Sequence, residues 1–478
     1  MSPSHVSEPL VEGIAPDVLY HVKQDNGNLV LQSEGSEKVF RDGDMIGVIT
    51  KKVATNEDRN GVPEQHSILL LSTKTENPSR TEFTFESFQL SDVPRPILDK
   101  LGISLPPSHL FIPRGPGDVP NLHVVISPRS GRGEAQHFFD VVIRKAFTAV
   151  GLEEQAYQTH VTESERSITD LARAVFLPRA NDGIAQTILL LSGDGGIVNI
   201  VNVLLSSLQS PRYRKPVIGL VVMGTGNALA NSTGLNRGAT RGLSNFLQGT
   251  PRSLPTFTAN FSPGSEFLFN EGRSSELLPL SDAGSAIVYG AVVCSWALHA
   301  SLVADSDTTE YRKHGTNRFQ MAAKELLAPS DGSEPHMYKG KITLITKDRD
   351  GRETHHVLER REHMYILATL VSNLEENLTI SPGSKPLDGQ LRLVHFGVVS
   401  SAEVMRILGL AFQGGSHVED AAVGYENIDG LRIDFDEKDS RWRRVCVDGK
   451  IVRVNEGGWV EVRKSTRDVV DLVADLRR

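Results

Sequence analysis

From Leu122 onward, short apolar runs alternate with segments of helical spacing. The run LHVVIS from Leu122 predicts a buried strand. From Ala135 to Val150, Phe138, Val141, Val142 and Ala146 recur at helical intervals. A strand-like segment near Gln158 leads to a helix from about Ser164 to Val175. The fully apolar strand Thr187 to Leu191 precedes a helix from Ile197 to Leu208, and another apolar strand spans Pro216 to Met223. This alternation predicts an open, mostly parallel α/β sheet.

The flanking regions have a different rhythm. Residues 1 to about 118 show short strand-like runs, Asn28 to Gln32, Met45 to Val53 and His66 to Ser72, separated by Gly, Asn and Asp turn signals. They predict a β-rich N-terminal extension, and the proline-rich stretch Pro106 to Pro120 reads as a linker. Beyond Thr250, strand patterns dominate: Ala286 to Cys294, Lys341 to Thr346, Met364 to Val371, Leu391 to Val399, Gly430 to Phe435, Arg443 to Val447 and Trp459 to Val462. Helical patterns there are confined to Asn317 to Leu327, Ala402 to Phe412 and the C-terminal tail. The expected organisation is an extension and linker over 1–118, an α/β domain over 119–250, a β-sandwich over 251–465 and a tail over 466–478.

A length of 478 residues suffices for two or three domains with full cores. The net charge of −8 argues against a general nucleic-acid binder. Cys294 and Cys446 are the two cysteines, both in apolar strand-like runs, so buried free thiols in a reducing compartment are expected. The opening segment MSPSHVSEPLVEGIAPD lacks the basic start and apolar run of a signal peptide. The longest apolar candidate, Ser285 to Ala304, is interrupted by Tyr289, Gly290, Ser295, His299 and Ser301, short of the roughly 18 residues needed to span a bilayer. A soluble chain with peripheral membrane contact is the expectation.

Three glycine-rich turns each follow an apolar strand and precede a helix. They are Ser127-Pro128-Arg129-Ser130-Gly131-Arg132-Gly133, Ser192-Gly193-Asp194-Gly195-Gly196 and Gly224-Thr225-Gly226-Asn227. In an open α/β sheet such turns lie at the carboxyl ends of the strands, where ligands bind. Glycine admits close backbone approach to a phosphate, and amides at a helix start attract anions. Any one of these turns could simply be a tight connection; three in one sheet, one with a central aspartate, point to a phosphate site. No Gly-Lys-Ser/Thr follows and no GxGxxG is complete, which disfavours P-loop enzymes and dehydrogenases.

The order SPRSGRG, SGDGG, GTGNALA resembles the catalytic domain shared by diacylglycerol, sphingosine and ceramide kinases. The run Tyr311-Arg312-Lys313-His314-Gly315-Thr316-Asn317-Arg318-Phe319 resembles the YRRLGxxRF segment of sphingosine kinases, and Val447-Asp448-Gly449-Lys450 resembles their VDGE strand-turn. Ala228 after Gly-Asn, and Ser192 opening the second turn, lean toward the sphingosine and ceramide branch. The resemblance covers about Leu122 to Val462. It implies an NAD-kinase/diacylglycerol-kinase-like fold, with a β-sandwich lipid-binding domain after the α/β nucleotide-binding domain. The activity implied is ATP-dependent, Mg²⁺-assisted phosphorylation of a lipid hydroxyl, with a sphingoid base as the preferred acceptor. Diacylglycerol, ceramide or a catalytically silent binding role stand as alternatives. A cytoplasmic, peripherally membrane-associated protein is implied; metal ligands and oligomeric state stay open.

Residue by residue, the resemblance implies Asp194 as the catalytic carboxylate. It places Ser127, Pro128, Arg129, Gly131, Gly133, Gly193, Gly195, Gly224, Thr225 and Gly226 against the nucleotide. Arg312 and Arg318 would reach the triphosphate, and Asp448 and Gly449 would close the site. Ser192 and either Asp305 or Asp307 would meet the substrate, the aspartate as a counter-charge for an amine; a solvated acidic loop is the plainer reading of that pair. Asn199 stands where sphingosine kinases carry glutamate, Ser127 replaces Asn, Arg132 replaces Lys, Glu134 replaces a basic residue and Gly196 replaces Thr or Leu. His299 reads as a satisfied core histidine, and Met321, Leu326 and Leu327 read as core or as lining of a lipid pocket.

Overall fold

The structure is a computed structural model that describes residues 18–52, 64–77, 80–105, 107–236, 238–281, 284–315 and 317–475. The opening segment, Val53 at the end of one expected strand, Pro106 at the start of the expected linker, Thr316 and the last three tail residues lie outside these.

The N-terminal module is β-rich, as its turn signals imply. Six strands, Tyr20–Asp25, Asn28–Ser33, Ser36–Phe40, Met45–Lys52, Glu64–Asn77 and Arg80–Asp92, join the short Gly102–Ile103 in one sheet. Alternating residues such as Leu29, Leu31, Ile68 and Leu70 point to one side, where they pack with Ile97 and Leu101 of the helix Arg95–Leu101.

The expected α/β sheet is present. Strands β1 (Leu122–Ile126), β2 (Tyr157–Val161), β3 (Thr187–Ser192) and β4 (Val217–Val222) run parallel in the order β4-β3-β1-β2. The apolar runs of β1, β3 and β4 reflect burial on both faces, every residue of β1 and β3 being buried, whereas β2 at the sheet edge is polar and partly exposed. On one face Val125, Leu190 and Leu220 meet Ile197, Ile200 and Leu204 of helix α1 (Asp194–Ser206) in a single cluster. The helical stretches after β1 and β2 each contain a π turn, Phe139–Ile143 and Ala172–Phe176.

The tail corrects the sequence expectation. It is a strand, Asp471–Ala474, inserted between β4, to which it is parallel, and Thr250–Ser253, to which it is antiparallel. Residues 466–475 thus complete the first sheet instead of forming a separate helical tail. Val469, Val470, Leu472, Val473 and Ala474 are all buried, and a short apolar run covered on both faces has no periodicity that separates strand from helix.

The rest of the chain forms the expected β-sandwich of two antiparallel sheets. Phe257, Phe261, Ile342, Ile433 and Val460 from one sheet interdigitate with Cys294, Trp296, Ile366, Leu393 and Val452 from the other. The outer face of the second sheet is also covered. Tyr365, Leu367, Val394 and Phe396 join the cluster that holds α1 and the parallel sheet. The expected single strand Ala286 to Cys294 is two, Ala286–Gly290 and β5 (Val293–Ala297), lying in different sheets. Among the described residues no helix is long and apolar enough to cross a membrane.

The inserted tail strand should be indispensable. Leu472→Asp buries a carboxylate between two covered faces and is expected to cost on the order of 3–5 kcal/mol, read as a large fall in melting temperature. Asp468→Asn breaks an ion pair to Lys215 whose carboxylate is 49% exposed and should cost less than about 1 kcal/mol.

Candidate active site

The three glycine turns leave neighbouring strands β1, β3 and β4 at their carboxyl ends and pack backbone against backbone. A Cβ on Gly131, which has φ 53°, would lie 2.1 Å from the carbonyl oxygen of Met223. One on Gly224 would lie 2.6 Å from Cα of Gly193 and 2.4 Å from Oδ1 of Asn227. Side chains would hold these turns apart. Asn227 adopts the left-handed conformation that starts helix α2 (Ala228–Ser232), and its side-chain amide donates to the Gly224 carbonyl. By contrast, Gly195, Gly226 and Gly449 face open space.

Asp194 is the first residue of α1. Its Oδ2 accepts from the Leu229 amide at 2.7 Å, while Oδ1 is buried without a hydrogen-bond partner. Burial pushes its pKa from 3.8 up to about 7; the Leu229 and Ala230 amides oppose the rise and the Asp448 charge adds to it.

Asp448 and Gly449, with φ 49° and 85°, form the two-residue turn of the hairpin Arg444–Val447 and Lys450–Arg453. The Asp448 carboxylate accepts from three successive amides, Ala291 at 2.6 Å, Val292 at 3.0 Å and Val293 at 2.7 Å. It therefore holds the corner at which the chain passes from one sandwich sheet to the other. Burial raises its pKa to about 6 against those three amides. Next to it, Lys450 Nζ donates to Asn199 Oδ1 at 2.8 Å, so the two residues that depart from the glutamates of the resembling kinases are hydrogen-bonded to each other.

These parts open on one cavity of about 820 Å³. Its wall includes Ser130, Gly131, Gly193, Asp194, Gly195, Gly224 to Ala228, Asp448 and Gly449. The remaining wall is mainly apolar, with Val292, Val293, Leu298, Leu302, Phe319, Leu374, Leu378, Ile380, Met405, Leu408 and Phe412. Leu298 opens helix α3 (Leu298–Ser306) directly after Ala297, whose φ 65° and ψ −138° are foreign to an L-residue and cost of order 1–3 kcal/mol. Phe319 lies on helix α4 (Asn317–Leu327), and Met405, Leu408 and Phe412 lie on or beside helix α5 (Ser401–Ala411).

Asp307 and Arg318 also line this cavity. Asp307 is clamped by both arginines of the YRKHGTNRF run: Arg312 Nε and Nη2 donate at 3.0 and 2.8 Å, and Arg318 Nη1 at 3.1 Å. Arg318 retains a buried, unpartnered Nε. The cavity thus joins Asp194 to Arg318. Ser127, Pro128, Arg129, Gly133, Ser192, Asp305 and Arg312 stand behind or beside its wall rather than in it. Ser192 turns its hydroxyl to the Gly193 carbonyl, and Asp305 is paired with Arg441 and Arg444.

His299 lines the cavity and is also satisfied, its Nδ1 2.7 Å from the Ser295 hydroxyl; burial lowers its pKa to about 4. Met321 is exposed and Leu326 and Leu327 are core; the cavity face of α4 is Asn317 to Gln320 and Ala323. Sequence reasoning missed Glu375, which sits in no motif, and the apolar wall of Leu374, Leu378, Ile380 and α5, because greasy positions serve cores and cavities alike.

Among the described residues no three His, Cys, Asp or Glu side chains form a metal cage. Mg²⁺ is ordinarily held by one or two carboxylates together with substrate phosphates. Asp194, with an unpartnered oxygen, fits that role; Asp448, whose oxygens are taken by amides, fits a structural one.

Two measurements follow from this geometry. Gly224→Ala should lose about 1–3 kcal/mol of stability, whereas Gly195→Ala, in a helix and facing open space, should melt at or above the wild-type temperature. For Asp194, the folded state retains a proton that the unfolded chain has released between pH about 4 and about 7. Stability therefore falls as pH rises through that window. Asp194→Asn should melt higher than wild type above pH 7, with the difference vanishing near pH 4.

Residues 121–259 match the diacylglycerol kinase catalytic domain family. Sphingosine kinase 1 of Arabidopsis thaliana is 25% identical over 360 residues, covering 66% of this chain and 66% of that protein. Sphingosine kinase 2 of the same plant is 24% identical over 342 residues, 64% of this chain and 63% of that one. The chain thus spans just under two thirds of the length of these curated relatives. A putative diacylglycerol kinase from Bacillus anthracis str. Sterne overlays with a TM-score of 0.49 at 12% identity, over 74% of this chain and 97% of that one. The three glycine turns and Asp194 all fall inside the segment, residues 121–259, that matches the diacylglycerol kinase catalytic domain.

Proposed function

We propose that this chain is a lipid kinase that transfers the γ-phosphoryl group of ATP to a lipid hydroxyl, with a sphingoid long-chain base as the preferred acceptor. The observation that carries the reading is the cavity in which glycine turns and Asp194 share one space with many apolar side chains. A nucleotide and an acyl or alkyl chain need opposite surroundings, and an enzyme joining them needs both within bonding reach.

In the proposed reaction the lipid hydroxyl oxygen bonds to the γ-phosphorus as the bond to the β-phosphate oxygen breaks and ADP leaves. Asp194 orients the hydroxyl and takes its proton, a role suited to a carboxylate titrating near neutrality. The backbone amides of the three turns and the start of α1 hold phosphate oxygens, and Arg318, with its unpartnered Nε, offers charge to the transferring group. Bound Mg²⁺ would neutralise phosphate charge beside Asp194. The apolar wall excludes water that would otherwise compete as acceptor. The absence of a spanning helix among the described residues suits a protein that meets its lipid at a membrane surface.

Purified protein with labelled ATP and Mg²⁺ should phosphorylate a sphingoid base in preference to diacylglycerol or ceramide. Asp194→Asn should fold and lose about 10²–10⁴ in turnover. Phosphorylation of diacylglycerol or ceramide instead would replace the preferred acceptor, and full turnover in the variant would remove the proton-acceptor role.

A further inference from the structure

The charged groups on the cavity wall differ in how much of their charge is already answered. Asp448 is held by three amides. Asp307 has both oxygens engaged by guanidinium groups, Oδ1 by Arg312 and Arg318 and Oδ2 by Arg312. Asp194 receives the Leu229 amide at the turn end. Glu375 is different. It ends the short strand Asn373–Glu375, pairs through its backbone with Leu378, lines the cavity beside Leu374 and Leu378, and its side chain makes no hydrogen bond or ion pair among the described residues.

We infer that Glu375 binds the primary ammonium group of a long-chain amino lipid. This rests on the reading of the cavity as a lipid site and adds the residue that selects the lipid's headgroup. A half-buried carboxylate without a partner carries a desolvation cost, and a ligand cation offsets it. Burial raises the Glu375 pKa and the Arg318 charge opposes the rise, so the group is desolvated and its nearest cation does not neutralise it by contact. Arg318 is itself bound to Asp307. Asp307, the aspartate that sequence reasoning offered as the counter-charge for an amine, has no oxygen left over from its two arginines. The neighbouring side chains Leu374 and Leu378 lie where the lipid's hydrocarbon would begin. Diacylglycerol and N-acylated lipids bring no cation, and would leave Glu375 buried and unanswered.

The test is equilibrium binding, by calorimetry, of a short-chain sphingoid base and its N-acetyl derivative to wild type and to Glu375→Gln. Wild type should bind the free amine at least about tenfold more tightly than the N-acetyl form, the size of one charge-assisted hydrogen bond. In Glu375→Gln the ratio should fall to about one, and Glu375→Asp, which keeps the charge, should restore part of it. Equal affinity of wild type for the two ligands, or an undiminished preference in Glu375→Gln, would overturn the inference. Because no turnover is involved, the two proposals separate. A protein with the Glu375-dependent preference that phosphorylates no lipid keeps this inference and loses the kinase reading. One that phosphorylates lipids without that preference does the reverse.

Discussion

The Asp448 carboxylate, gripping the amides of Ala291, Val292 and Val293, is the constraint on which the cavity depends. At that corner the chain leaves one sheet of the sandwich, Ala286–Gly290, and enters the other as β5. Each amide at such a corner has lost its ladder partner and needs another acceptor. Supplying all three from one side chain lets the corner be sharp. It also sets Val292 and Val293 on the cavity wall and launches β5 toward the strained junction at Ala297 and the helix after it. The same turn carries Gly449, open to the cavity. One buried carboxylate therefore stitches the apolar half of the site to its polar half.

The polar half obeys a different constraint, the distance between backbones. Gly131, Gly193 and Gly224 bring three turns closer than any side chain would allow, and the amides of those turns are thereby concentrated in a small volume. Concentrated donors favour an anion, whereas burial disfavours a carboxylate whose oxygens are not all bonded. Asp194 takes one such bond through Oδ2 and leaves Oδ1 without any. Its stability cost and its chemical usefulness have the same origin, as is common where a site is built against the preferences of a protein interior.

How much of this was legible in the sequence depended on the kind of signal. The parallel sheet could be read because β1, β3 and β4 are short, largely apolar runs closed by glycine turns, a local pattern with a local cause. The strand Asp471–Ala474 could not, because its partners are β4 and Thr250–Ser253, more than two hundred residues away in sequence, and its own residues fit either period. The division at Ala291 was hidden for the same reason: the acceptor that breaks the strand sits at Asp448. Within the site, glycines and Asp194 announced themselves by motif. The motif resemblance also proposed Ser192 and Asp305, which the fold turns to the Gly193 carbonyl and to Arg441 and Arg444 respectively. Glu375 has no motif; its distinction is a lack of partners, which is a property of three dimensions.

That distinction bears on how a cavity with one anionic co-substrate could also prefer a cationic lipid. Placing guanidinium groups throughout would attract phosphate and repel an amine. Here Arg312 and Arg318 are gathered on Asp307, so positive charge is confined to one cluster and partly cancelled there. Coulomb energy falls only slowly with distance in a poorly solvated space, so separating the signs into paired and unpaired groups is more effective than separating them by distance alone. Under the proposed function the unpaired Nε of Arg318 would serve phosphate and the unpaired carboxylate of Glu375 the amine, while Asp307 holds the arginine in an ion pair of its own. Under the proposed function Asp307 would let both ligands be recognised at once, by occupying the arginines instead of the lipid.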